Sequence, residues 1–272
     1  YPEDMFIHTT SPLTGSFMAI IGADLEIKWH ITSIDRKGWD FKVNNNNKLT
    51  YFQKPPIGSS DPGLWYVMDS NMQEVDTLSF VGYKADNHDI QYVANGGYIL
   101  QAYAKEQIDI PQTTHIDSAR ILILQEFDVN HNLIFEWKNS DYMNIENYID
   151  SFNLNANYLN WMHGNSIDID YDSNIIISNR TMSEAIKFDR LTGEIIWILG
   201  GPANDFLFIN DIHNGFIGQH DIRRLDNGNL LVFDNGVNLF GETRAARVSE
   251  YSIDEMEMTA TLVWEYFHPE EY

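Results

Sequence analysis

One unit recurs through this chain and limits what it can fold into. It is an apolar strand, an Asp-containing turn, and a second strand that closes on an aromatic residue. The instances are 17–29 (FMAIIGADLEIKW), 64–78 (LWYVMDSNMQEVDTL), 121–137 (ILILQEFDVNHNLIFEW), 185–197 (AIKFDRLTGEIIW) and 248–264 (VSEYSIDEMEMTATLVW). Four of the five end in Trp: Trp29, Trp137, Trp197 and Trp264. A hydrophobic repeat of this kind cannot bury its face alone and must stack on its neighbours, so the Trp residues are expected to pack between adjacent sheets. Turns such as 128–132 (DVNHN) and 189–193 (DRLTG) carry the Asx and Gly chemistry that reverses a hairpin. Long helical periodicity is missing, whereas short β-rich runs recur at 98–103, 175–178 and 230–233. Five units at the roughly 40–50 residues of a four-stranded blade predict an all-β fold, a β-propeller, with residues 1–272 as a single domain.

Composition agrees and removes several function classes. The chain has 272 residues, enough for one propeller, and 13% aromatics favours sheet over helix. Its 17 basic against 40 acidic residues give a formal charge of −23, which argues against nucleic acid or an anionic membrane as partner. An anionic substrate would therefore need a basic pocket inside an acidic shell. There is no cysteine, so disulfides, thiolate metal sites and Cys nucleophiles are excluded. No apolar run approaches the ~20 residues of a membrane span, so no membrane insertion is expected. With Tyr1 first and no apolar leader, the chain reads as a form with its signal removed or as a trimmed one. Two stretches are poor strand material. Residues 139–160 are polar and Asn-rich, a length often used for lids, and residues 200–218 are expected to arch over one face on the way to His220.

Three short strands share a design. His220 heads a run that ends in Asn227-Gly228, His88 one that ends in Asn95-Gly96-Gly97, and His163 one that ends in Asp172-Ser173-Asn174. Side chains alternate with period two, and the turn offsets (nine, nine and eleven residues) keep the three imidazoles on one face if the strands are equivalent. Asn165, two residues past His163, shares that face, and Arg180 ends the strand that follows. The expected pocket is His88, His163, Asn165, Arg180 and His220: donors and one permanent cation, with no carboxylate. Arg presents a fixed fork of donors to a sulfate or phosphate, and a neutral imidazole can attack sulfur or phosphorus. Three His could instead hold zinc. Arg180 would then add an uncompensated charge beside the metal, so neither a metal nor another cofactor is expected. A plainer reading stays open, in which each His ties its strand to a neighbouring blade through Asp89 or Asp221.

Several ordered blocks resemble a known family. These are D-N-H-D-I-Q-Y-V-A-N-G-G, L-I-F-E-W, H-G-N-S-I followed by I-I-I-S-N-R, T-G-E-I-I-W-I-L-G-G, and Q-H-D-I-R-R-L-D-N-G-N-L-L-V-F-D-N-G, spread over about 64–266. They resemble the arylsulfotransferases that work without the nucleotide sulfate donor. The resemblance implies a six-bladed propeller, exported to the periplasm or outside the cell, that moves a sulfuryl group from a phenolic sulfate ester to an acceptor phenol. By position, His220 matches the histidine that is transiently sulfated, and His88, His163, Asn165 and Arg180 match the residues around the sulfuryl group. Only five units are counted against the six implied, so either the ring closes with fewer blades or a closing segment lies outside this chain. The N-terminal domain of some members is missing from this sequence, which leaves a homo-oligomer open.

The expected mechanism is ping-pong, with His220 as nucleophile, Arg180, Asn165 and His163 holding the donor's oxygens, and His88 moving the phenolic proton. The alternative is a propeller used only for binding or assembly, its histidines idle. A quinone-dependent dehydrogenase, suggested by T-G-E-I-I-W, lacks visible calcium-binding carboxylates.

Overall fold

The computed structural model describes residues 4–11, 15–33, 37–54, 60–108, 117–152, 156, 158–238 and 241–267. They form five sheets. The first holds β1 (Met5–Ser11), β2 (Gly15–Ile21) and β3 (Ile27–Ser33), and the second β4 (Lys37–Val43), β5 (Leu49–Gln53), β6 (Leu64–Met68) and β7 (Glu74–Leu78). The third runs β8 (Ala85–Tyr92), β9 (Tyr98–Ile108), β10 (Asp117–Phe127) and β11 (Leu133–Lys138), with β12 (Tyr158–Leu159) added on β10. The fourth holds β13 (Gly164–Ile169), β14 (Ile175–Asn179), β15 (Glu184–Phe188) and β16 (Ile195–Leu199). In the fifth, β18 (His220–Arg224), β19 (Leu230–Asp234), β20 (Arg247–Asp254) and β21 (Thr259–Phe267) pair in sequence, and β17 (Leu207–Ile209) lies outside β21. The only described helices are α1 (Asn139–Tyr142) and a 3-10 helix, Ile145–Ser151. None is long and apolar enough to cross a membrane.

The fold is all-β and of the β-propeller class, its sheets serving as blades. Their number among the described residues is the five of the repeat count, not the six that the family resemblance implies. Each repeat of the sequence is the last hairpin of its sheet: β2–β3, β6–β7, β10–β11, β15–β16 and β20–β21. The turns close as their residues dictate. Asp128 Oδ1 accepts the backbone N–H of Asn130 and Asn132, and Asp189 Oδ1 those of Leu191 and Thr192.

By contact the chain separates into two compact units, Tyr1–Tyr103 with Leu124–Glu136, and Ala104–Ile123 with Trp137–Tyr272. In the first, Met18, Ile20, Phe41, Leu49, Tyr51 and Met68 form a core against which Trp29 packs. In the second, Trp137 stacks on Phe188 at 4.6 Å, and Trp197 joins Phe206, Ile222, Leu230 and Tyr251. Truncating either of these buried Trp residues would cost about 3–5 kcal/mol. Trp264 departs from the expectation: it is 49% exposed and stacks on Tyr266 of its own strand. β14 is buried along its whole length, which explains its unbroken Ile-Ile-Ile run.

Each of the two stretches, 139–160 and 200–218, carries a short edge strand. Leu207–Ile209 pairs in parallel with Thr259–Thr261 of β21, and Tyr158–Leu159 with Ser118–Ala119 of β10. A sheet edge offers unpaired N–H and C=O groups, and each passing segment takes them up. Asp211, in the first of these segments, accepts from both Nη atoms of Arg247 (3.1 and 2.9 Å) and from the Tyr251 hydroxyl (2.6 Å). Burial works to raise the Asp211 carboxyl, but those bonds outweigh it and hold it near about 2. These bonds anchor the segment after β17 to β20.

Candidate active site

The three singled-out histidines stand at the start of the first strand of the third, fourth and fifth sheets, and each start is irregular. On β8 the register passes from Ala85↔Ala102 to Ile90↔Leu100, so residues 86–89 face a single partner position. On β13 Asn165 is the extra residue between Gly164↔Asn179 and Ser166↔Ser178. On β18 the pairing jumps from His220↔Phe233 to Arg223↔Leu231, and Asp221 takes a left-handed φ of 52°. Strict alternation therefore does not hold here. A bulge re-aims the side chains around it, and the bulges rather than the turn offsets decide where the imidazoles point.

In the second compact unit, β13 and β18 run side by side in parallel, joined through side chains. Asn165 Nδ2 donates to Gln219 O (2.7 Å), Ile222 N to Ser166 Oγ (3.0 Å), Arg223 Nη1 to Ile167 O (2.6 Å) and Arg224 N to Asp168 Oδ2 (2.6 Å). This brings the His163–Asn165 end of one strand to the Gln219–His220 end of the other. Arg180 opens the turn after β14, and its N–H donates to His163 O (2.9 Å). Its half-buried guanidinium has no hydrogen bond or ion pair among the described residues. One N–H of Asn165 is committed to Gln219, and its Oδ1 is buried without a hydrogen-bond partner.

Side chains that the sequence reading passed over support this corner. Arg120, on β10, brings Nη1 to 3.4 Å from His163 Nδ1. A guanidinium can only donate, so this contact makes Nδ1 the acceptor and leaves the proton of a neutral His163 on Nε2. Asn179 Oδ1 accepts the His163 N–H (3.0 Å), while its Nδ2 faces Trp161 O and Glu184 Oε2, both at 3.4 Å. Gln219 Nε2 donates to Ser178 Oγ (3.0 Å), Asn179 O (3.2 Å) and Glu184 O (2.9 Å). Gly218 N donates to Ser183 Oγ (3.0 Å).

Glu184 corrects the expectation of a corner without carboxylates. It is 0% exposed, and burial pushes its carboxyl up to about 8 against the opposing effects of Ala203 N–H, Asn179 and the Tyr148 hydroxyl. Tyr148 comes from the 3-10 helix. Gly201 passes over the same carboxyl, and a Cβ there would stand 2.4 Å from Glu184 Cγ and 2.3 Å from Met182 O. The Gly200-Gly201 pair of the sequence is thus a close backbone approach.

His88 lies in the first compact unit. Its Nδ1 is 2.5 Å from Asp86 Oδ1, which also accepts from His88 N (3.0 Å) and Gln101 Nε2 (2.9 Å). Burial would raise the Asp86 carboxyl, but its bonds and charge contact with His88, together with Gln101, bring it below the usual range. The partner is Asp86, two residues upstream, rather than Asp89, which pairs with Lys42. Asp221 pairs with Arg223 at 2.6 Å. Among the described residues no three His, Asp or Glu side chains gather as a metal-ligand set.

Five β-sheet blades define a β-propeller in which two bulged strands set their His163 and His220 ends side by side, with Arg180 at the same end. The family model described as Arylsulfotransferase (ASST) matches residues 4–272, and the chain belongs to that family. This supports aryl sulfotransferase activity in general, with aryl sulfates and phenols as the substrate classes. A search of curated protein sequences finds no match. Among solved structures, the chain is similar to a Bacteroides caccae protein of unknown function: 10% identity, 98% of this chain and 94% of that one, TM-score 0.46. It is also similar to a Staphylococcus aureus virginiamycin B lyase (9%, 92% and 70%, 0.45) and to a putative 6-phosphogluconolactonase of Bacteroides fragilis (11%, 99% and 84%, 0.48).

Proposed function

We propose that this protein is an aryl sulfate sulfotransferase that works by ping-pong exchange through His220. In the first half, a ring nitrogen of His220 forms a bond to sulfur as the sulfur–aryloxy bond breaks. The bonding electrons leave on the phenolate, which takes a proton from water. In the second half, an acceptor phenol gives its proton to water as its oxygen attacks sulfur, and the nitrogen–sulfur bond breaks to restore His220. The transition state of such a transfer is loose, so positioning and charge stabilisation dominate. His163, with Nε2–H, the remaining N–H of Asn165 and the Arg180 fork hold the sulfuryl oxygens.

The observation that supports this reading best is the half-buried Arg180 guanidinium beside His163, with no carboxylate paired to it among the described residues. In a chain of net charge −23, a cation kept from its own acidic groups is suited to an anionic ligand. Arg120 at His163 adds a second positive charge to the same corner. The test is intact mass after incubation with 4-nitrophenyl sulfate, alongside release of 4-nitrophenol. A gain of one sulfuryl group on the unmutated protein, lost in His220→Asn with turnover down by at least ~10⁴-fold, is the expected result. Turnover by His220→Asn at the unmutated rate would remove His220 as nucleophile.

A further inference from the structure

Glu184 is the one carboxyl buried in this corner among the described residues, and the mechanism above does not use it. It opens β15 directly opposite Asn179, and Asn179 is itself opposite Gly164. One row across the end of the fourth sheet thus reads His163-Gly164, Asn179, Glu184. Each link carries a named bond. Glu184 Oε2 faces Asn179 Nδ2 (3.4 Å), and Asn179 Oδ1 accepts the backbone N–H of His163 (3.0 Å). From the fifth sheet, Gln219 Nε2 donates to the Glu184 carbonyl (2.9 Å), fixing the residue that immediately precedes His220. Gly201 covers the carboxyl from above, and Tyr148 closes the space beside it.

We propose that Glu184 is a positioning residue: as a neutral carboxylic acid it holds the Asn179 amide, and with it the His163 backbone, in register with the Gln219–His220 strand end. The proposal rests on the function given above only for the role of the two histidines. Three features carry it. The side chain is fully buried. The groups facing it from neighbouring elements are Asn179 of β14, the Ala203 N–H after β16 and Tyr148 of the 3-10 helix, with no cation among them. It holds the strand end from which the bulge at Asn165 begins. Burial without a cation favours the uncharged form, in keeping with a carboxyl raised to about 8. An ionised Glu184 would draw Asn179 and Tyr148 toward itself, competing with the Asn179–His163 bond.

The test compares the unmutated protein with Glu184→Gln and Glu184→Ala. Gln matches the shape and neutrality of the acid, so Glu184→Gln is expected to keep kcat for 4-nitrophenyl sulfate at pH 7 within about threefold. The unmutated protein is expected to lose kcat between pH 7 and 9, and Glu184→Gln to lack that fall. Glu184→Ala is expected to lower kcat by about tenfold or more with KM little changed, because the reacting groups are displaced rather than removed. A second readout does not depend on turnover: the ring-proton resonances of His163 and His220 should shift in Glu184→Ala and stay in place in Glu184→Gln at pH 7. If the unmutated protein gives no sulfuryl adduct and no phenol, the function fails while the resonances still decide the role of Glu184. Unmoved resonances in Glu184→Ala, or a Glu184→Gln protein with the unmutated alkaline limb, would overturn the proposal.

Discussion

β13 and β18 lie together along their length, but their two ends are built on opposite rules. At the His163/His220 end the buried groups are amides, hydroxyls and one neutral acid, and Arg180 has no carboxylate partner among the described residues. At the other end Asp170 is enclosed by cations. It bonds Arg224 through Nε (2.9 Å) and Nη2 (2.7 Å) and Lys187 at 2.8 Å, and Glu255 adds a second carboxylate to the same pair. The Asp170 carboxyl is lowered, because its bonds to Arg224 and Lys187 outweigh the burial that would raise it. A closed set of charges holds a fold and has nothing left to offer a ligand. An open set costs stability and keeps a place for an anion. The contrast marks one end as structural and fits the other to the chemistry proposed above.

The largest expected effect lies at the closed end. Asp170→Ala leaves Lys187 and Arg224 buried with less compensation and should cost about 3–5 kcal/mol in urea unfolding, with kcat of the folded fraction unchanged. A loss under 1 kcal/mol would mean that the network is ornamental. Next comes pH at the open end. Glu184 is raised from 4.5 to about 8 on folding, so between those values the folded chain keeps a proton that the unfolded chain has given up. Stability on its account falls as pH rises through that window, by up to about 1.4 kcal/mol per unit, and the penalty is complete above pH 8. Glu184→Gln should therefore gain on the unmutated protein by a few kcal/mol between pH 4.5 and 8. Parallel stability curves would place the carboxyl in contact with water.

A smaller effect is expected for Arg180→Lys. An ammonium keeps the charge but not the fork, so kcat/KM for an aryl sulfate should fall about 10–100-fold while unfolding is unaffected. The smallest is Asp221→Asn. Its carboxylate is exposed at 64% of the side chain and pairs only with Arg223 among the described residues, and Asn tolerates the left-handed backbone. Stability should change by less than about 0.5 kcal/mol and turnover not at all, although the residue adjoins His220. A large loss of turnover would bring Asp221 into the chemistry and blur the contrast between the ends.

The fold was legible where a local pattern repeats. Alternating apolar residues and Asx turns at five places fix five hairpins, and each proved to be the last hairpin of a sheet. His163, Asn165, Arg180 and His220 were legible as candidates because they cluster near turn signals. Arg120 gave no such signal: it is an isolated cation at the start of an apolar strand, made relevant only by a contact 43 residues away in sequence. Glu184 was equally quiet, although an acid heading the buried run A-I-K-F is a mark that could have been followed. The short edge strands within 139–160 and 200–218 were not legible, because polarity and length do not reveal which segment pairs with a sheet edge.

What the sequence determined by itself is the hairpin repeat, the all-β class and the acidic surface, since these follow from side-chain periodicity and composition along the chain. Only the tertiary structure decided where the alternation breaks. A bulge depends on which strand lies opposite, and no local pattern records that partner. Tertiary contacts likewise raised the Glu184 carboxyl and left Arg180 without a carboxylate among the described residues, because burial and pairing are set by neighbours brought together in folding rather than by residues adjacent in the chain.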